Sequence, residues 1–349
     1  MNITIKLSAG CSTDSRGEVF IPQQVTEIKI GNPDNYAFKK CKDSITSFRF
    51  DKNSQIAKIG EYSFKNTALE KADLGECKVL KIINAHVFEN CKNLKTVILP
   101  PNLERIGISC FSYDPNLTSL DLPDSVYLIS GLAFYFSGLT IINISSNSSL
   151  QKLNQECFKS TNLTSIFIPK NVTDIGSSVF LCCQNLENIT VDQENANFTS
   201  DTKSLYTRTD NSTLIKVVEA YSGAYTVASY VTTISEECFS YCTKILSIQI
   251  DDKVKEIGKD AFSYCDSLTS IKMPGNIEII QSGTFQNCSS LRSIKIPDST
   301  KIIGAYAFKF CKSLISIIIP QNVNDVLDYA FSSCSNLINI TFLGIINEI

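Results

Sequence analysis

The stretch Val254–Asn276 reads VKEIGKDAFSYCDSLTSIKMPGN, and the chain repeats it. Stepping 23 residues from Phe262 lands on Phe285, Phe308 and Phe331. The same step carries Cys265 to Cys288, Cys311 and Cys334, and Pro274 to Pro297 and Pro320. A fixed period of this length marks stacked structural repeats in place of one globular core. The register is V-x-x-I-G-x-x-A-F-x-x-C-x-x-L-x-x-I-x-I-P-x-x.

Each segment of the unit has a physical reading. L-x-x-I-x-I alternates with the period of a strand, so Ile271 and Met273 point the same way. Pro274 ends that strand because it has no N–H for a ladder bond. Gly258 and Gly304 sit where the chain turns, and the pattern predicts a positive φ there. The spacing of Ala261, Phe262 and Cys265 predicts a short helical turn that faces all three inward. One such coil cannot bury its apolar side alone. Stability then becomes a sum over neighbouring coils.

The signature IG-x-x-AF-x-x-C-x-x-L-x-x-I-x-IP resembles the BspA-like leucine-rich repeat proteins, surface antigens of bacteria and anaerobic protists. It is clearest in four units from Val254 to Phe342, and degenerate units carry it back to Val25. The resemblance implies a protein-binding or adhesive role at the cell surface, toward a host or matrix protein. The fold expected is an α/β repeat, a solenoid of about twelve coils, with a parallel β-sheet on one face and short helical turns on the other.

Working outward, the ladder phenylalanines recur at Phe38, Phe64, Phe88, Phe111, Phe134, Phe158 and Phe180. Residues 1–24 read as an N-terminal β cap, with Ile3, Ile5 and Leu7 alternating and a polar turn from Gly10 to Gly17. The solenoid then covers 25–349. From Phe180 to Phe239 the step is 59 residues, and the surplus lies in 192–230. Two apolar runs there, Ser204–Thr207 and Thr213–Val218, flank RTDNS and predict a β-hairpin insertion. The BspA-like family carries an L-Y…L-I insertion, matched by Leu205, Tyr206, Leu214 and Ile215, although its preceding glycine is absent.

Composition excludes several function classes. The 32 basic and 35 acidic residues are mixed and give a net charge of −3, so there is no electrostatic footprint for nucleic acid. No apolar run reaches the length of a membrane span, and the first residues lack a secretory apolar core. Surface location therefore rests on the resemblance, and a cytoplasmic scaffold is the alternative. Of 14 cysteines most fall on the ladder, where stacked Cβ atoms roughly 4.8 Å apart are too distant and too parallel for disulfides. They read as buried thiols. One histidine, His86, stands at a variable corner position, and no CxxC pair or phosphate loop is present. No enzyme, cofactor or metal site is expected. Eleven Asn-x-Ser/Thr sequons occur, and at Asn116, Asn143, Asn162, Asn188 and Asn339 the repeat itself writes N-[LI]-[ST].

Two candidate binding surfaces remain. The residue between the two isoleucines of each strand points outward, which nominates Arg49, Asp73, Asp121, Phe167, Gln249, Lys272 and Lys295. The row passes from acidic to basic, and Lys272 with Lys295 predicts docking of an acidic segment. The insertion nominates Tyr206, Tyr221 and Tyr225, aromatic anchors of the kind that carry interface energy. The oligomeric state is not legible in the sequence.

Overall fold

The computed structural model describes residues 3–5, 13–29, 31–35, 37–208 and 212–344. They form two compact units, Met1–Cys183 with Val191–Asn195, and Gln184–Thr190 with Ala196–Ile349. Both units use one kind of coil, giving about 13 turns of parallel β-solenoid where the spacing predicts about twelve. A regular coil carries two strands. In the coil of Val254 these are Glu256–Ile257 and Ser270–Lys272. In the first unit the shorter strands stack as an eight-stranded sheet from Ile3–Ile5 to Asp174–Ile175. Within residues 1–24, Ile3–Ile5 pairs parallel with Val25–Ile28 and Glu18–Ile21 with Ser47–Phe50. Leu7 and Gly10 lie outside the described residues.

The expected helical turn is not formed. The one helix among the described residues is the 3₁₀ turn Lys39–Cys41. Elsewhere the Phe segment is bracketed by two residues of positive φ, such as Asp260 at 50° and Tyr264 at 57° around Phe262. His86 and Asn90 bracket Phe88 in the same way, at 59° and 58°. A left-handed residue costs an L-amino acid roughly 1–2 kcal/mol and breaks any helix. The return is that three N–H groups per coil point along the stacking axis. Asp260, Phe262 and Tyr264 donate to the carbonyls of Ser282, Thr284 and Gln286 at 3.0, 2.9 and 2.8 Å. His86, Phe88 and Asn90 do the same to Ile108, Cys110 and Ser112.

Gly258 and Gly304 are not among the positive-φ residues. A Cβ on Gly258 would lie 2.3 Å from the Glu236 nitrogen, and one on Gly304 would lie 2.6 Å from that of Ser282. These glycines let consecutive backbones touch, and the left-handed turn falls two residues later.

The phenylalanines stack as the repeat requires. Phe285 lies between Phe262 and Phe308, with ring centroids 5.3 Å away on either side and planes 11° and 12° apart. All three are fully buried. The ladder cysteines donate S–H to the phenylalanine carbonyl of the preceding coil. Cys265 reaches Phe239, Cys288 reaches Phe262 and Cys311 reaches Phe285, at 3.2, 3.1 and 3.2 Å. Burial pushes these thiols up, so they stay neutral and unreactive. Twelve cysteines are thiols, but Cys41 is disulfide-bonded, contrary to its place in the ladder pattern.

The insertion is not an outgrowth. Phe198–Ser200, Ser204–Thr207 and Thr213–Val217 pair antiparallel, and Thr213–Val217 also pairs parallel with Thr233–Ile234. Ser222–Thr226 pairs parallel with Lys244–Gln249. The segment therefore supplies one extra coil that lacks the Phe turn. The loop tip, 209–211, lies outside the described residues. Tyr206 and Tyr225 are buried, so they are core residues and not surface anchors. Tyr225 packs edge-on against Phe239 at 5.1 Å, and its hydroxyl meets Ser204 Oγ at 2.6 Å.

Without its own Phe turn, the extra coil must satisfy the next coil's carbonyls by other means. The Val217 N–H donates to Cys238, and the buried Lys216 ammonium donates to the Ser240 carbonyl at 3.3 Å. In a regular coil a backbone N–H fills that second place, as Tyr241 does for Ser263. Burial alone would strip the Lys216 proton, but Glu219 at 2.9 Å more than offsets it and holds the ammonium charged.

Three outcomes follow from this packing. Phe285→Ala should cost about 3–5 kcal/mol. Its opening should stay local because coils couple to neighbours. Hydrogen exchange should quicken around Ser263 to Ala307 while Leu94 to Leu122 stays protected, and uniform loss along the chain would contradict nearest-neighbour stacking. Intact mass of the denatured, alkylated, unreduced chain should show at least the twelve thiols found among the described residues and fewer than fourteen modified. All fourteen modified would rule out the Cys41 disulfide.

The third outcome concerns Asp114, which holds the ladder-cysteine place in its coil and is fully buried. Its Oδ1 accepts the Cys91 N–H at 2.7 Å, whereas Oδ2 has no hydrogen-bond partner among the described residues. Burial pushes its carboxyl well above the usual range, opposed in part by that N–H and assisted by Glu89. The folded chain thus holds the proton more tightly than the unfolded chain. Native stability from this group is present at acid pH and is lost as pH rises from about 3.9 toward the raised folded value. Asp114→Asn keeps an acceptor without the charge. Between about pH 4 and 8 its melting temperature should gain on wild type as pH rises; parallel curves would remove Asp114 from the pH dependence.

Candidate functional site: the strand face

Three of every six strand residues face outward, because L-x-x-I-x-I buries its three apolar positions. In the coil of Leu268 the outward set is Thr269, Ser270 and Lys272, all exposed. The next coil presents Arg292, Ser293 and Lys295, and the one after it Ile315, Ser316 and Ile318. Gln249 stands beside Lys272 in the parallel register. Serine therefore runs down the middle of the face at Ser247, Ser270, Ser293 and Ser316, with cations and then isoleucines beside it.

The two units treat charge on this face differently. In the first, Arg49 lies 3.6 Å from Glu18 and over the ring of Phe20. Asp73 pairs with Lys71 at 3.0 Å and accepts the Gly75 N–H. Asp121 accepts from Asn143 at 2.6 Å, and Phe167 is half-buried. Arg49 and Asp73 are thus ion-paired there, and Asp121 is hydrogen-bonded to a neutral amide. In the second unit Lys272, Arg292 and Lys295 make no ion pair among the described residues. No carboxylate shares their outward positions. Arg292 was open to sequence reasoning, since the position after the ladder leucine faces the same way.

The other nominated residues do not join this group. Tyr221 is half-buried, with its hydroxyl donating to the Ala224 carbonyl at 2.9 Å. His86 is more than a solvated corner. It stacks on Tyr62 at 4.6 Å, and its Nδ1 lies 2.9 Å from Glu89 Oε2, which Lys65 also reaches at 2.8 Å. Burial raises the Glu89 carboxyl, and these two partners more than offset the rise and hold it low. Among the described residues no group of three or more His, Cys, Asp and Glu side chains could hold a metal, and no helix is long and apolar enough to cross a membrane. Sequon asparagines also tie coils together, Asn116 to the Lys92 carbonyl, Asn171 to that of Ser148 and Asn143 to Asp121.

The repeat pattern is that of a known family. The BspA type leucine rich repeat region, six copies long, matches residues 4–140, 81–205 and 226–349. A leucine rich cell surface protein from Faecalibacterium prausnitzii A2-165 is 26% identical, with a TM-score of 0.81 over 94% of this chain and 88% of that one. A leucine-rich repeat protein from Bacteroides ovatus ATCC 8483 is also 26% identical, with a TM-score of 0.67 over 97% and 84%. The pneumococcal vaccine antigen PcpA shares the fold, at 21% identity and a TM-score of 0.74 over 96% and 80%. No curated protein matches. A pattern that spans most of the chain, with its ladder phenylalanines stacked as that pattern demands, places this protein in the BspA-type leucine-rich repeat family.

Proposed function

We propose that this is a non-enzymatic repeat protein that binds a protein partner through the strand face of its second unit. It acts as a BspA-like surface antigen or adhesin toward a host or matrix protein. One observation carries the reading. Lys272, Arg292 and Lys295 stand unpaired on a stacked face, while Arg49 and Asp73 of the first unit are ion-paired. Exposed like charges on neighbouring coils repel until something anionic joins them. A rigid, stacked face also lowers the ordering cost of binding. The surface assignment draws support from the cell-surface description of the Faecalibacterium relative.

A second reading is an intracellular interaction scaffold, favoured by the twelve buried or half-buried thiols. The Cys41 disulfide favours the first. Biotinylation of intact cells separates them, since labelling of the chain without lysis is expected only for the surface protein.

Poly-L-glutamate serves as the probe of the face. Wild type should bind it, more weakly as salt rises, and Lys272→Glu with Lys295→Glu should reduce binding about tenfold at low salt without altering the circular dichroism spectrum. Tyr221→Ala should leave binding unchanged. Equal binding by the charge-reversed protein would remove the strand face as the site. Removing Asn195 to Ser222 is not a usable control, because it takes away Thr213–Val217, which pairs on both sides.

A further inference from the structure

On the strand face of the second unit the hydrogen-bond ladder follows a rule. The residue after each outward position donates its N–H to the outward residue of the next coil. Val227 donates to Gln249 and Ile250 to Lys272, at 2.9 and 3.2 Å. The rule stops at the coil of Leu291. Neither Met273 to Lys295 nor Ile296 to Ile318 is made among the described residues, and Ser293–Ile296 is not a strand. The strands on either side, Ser270–Lys272 and Ser316–Ile319, belong to separate sheets.

At this break the surface opens into a cavity of about 480 Å³. Its wall is Ser293–Ile296 and Asp298 on one side and Ser316–Ile318 on the other, closed by Pro320 and Leu343. Ile318 and Leu343 are 58% and 61% exposed, so two large apolar side chains face solvent here. Leu343 occupies the register of Pro320, one period on. The unpaired Lys295 lines the same cavity.

An apolar concavity beside unmatched cations has a specific complement. A purely acidic segment would leave Ile318 and Leu343 wet, and a purely apolar one would bury Lys295 with Asp298 the one carboxylate of the wall and no ion pair made to it, which is costly. We infer that the break in the ladder is an anchor site for an extended segment of a partner protein that places a large apolar side chain in the cavity and carboxylates on Lys272, Arg292 and Lys295. Because no ladder bond holds either side of Ser293–Ile296, this part of the face opens at least cost to admit the anchor. The inference rests on the strand-face reading and adds the apolar half of the ligand.

A random dodecapeptide display library, selected on the full chain, tests both halves. The expected result is enrichment of peptides that join acidic residues to a nearby Leu, Ile, Met or Phe. Ile318→Asp, a change at an exposed position, should weaken them about tenfold or more. Lys272→Glu with Lys295→Glu should weaken them as well, with retained melting temperature verifying both folds. Enriched acidic peptides with no apolar residue, equally bound by Ile318→Asp, would overturn the anchor site while leaving the strand-face reading intact. Peptides that bind both variants as well as wild type, or no enrichment at all, would overturn the two together.

Discussion

The stack depends on the three backbone N–H groups that a regular Phe turn, such as that of Phe88 or Phe262, sends to the next coil. They exist because two residues, two before and two after the phenylalanine, take positive φ and swing alternate amides onto the stacking axis. An isolated coil would bear that conformational cost with nothing in return. Once a neighbour is present, three hydrogen bonds and a stacked ring offset it. The phenylalanine is the apolar part of the same device, since its ring meets the rings before and after it as its amide meets the next carbonyl.

The departures from the repeat are solutions to that one requirement. Gly258 and Gly304 omit a Cβ so that consecutive backbones come close enough to bond. Ladder thiols return an S–H to the carbonyl behind them, and Asp114 occupies one such place as a buried acid. Where the extra coil has no Phe turn, the Lys216 ammonium stands in for a missing amide and Glu219 keeps it charged. A buried ion pair is poor evidence of stability on its own. Here its position explains it: it completes the ladder at the point where the regular pattern starts again.

Function is confined to what the ladder leaves over. Buried positions are committed to stacking, so recognition falls to the outward strand residues. In the first unit Glu18 and Lys71 already pair with Arg49 and Asp73, and Asn143 donates to Asp121. In the second, cations, serines and isoleucines are left for a partner, and the ladder itself lapses at Ser293–Ile296.

The sequence by itself determined the period, the inward ladder of Phe and Cys, the outward row of Lys272 and Lys295, and the family. These are all matters of spacing, and a 23-residue step shows them directly. Only the tertiary structure decided that the Phe segment is a pair of left-handed turns and not a helix. The residue types there are mixed: Asn90 and Asp260 tolerate positive φ, but Leu132 and Tyr306 have no such preference, so no single pattern reveals the turn. It also decided that the insertion is a coil whose Tyr206 and Tyr225 are core, since burial depends on which strands pair. That Lys272 and Lys295 lack ion-pair partners among the described residues while Arg49 has one is likewise set by the coil stacked alongside. Spacing tells which way a side chain points. What it meets there depends on the coil stacked beside it.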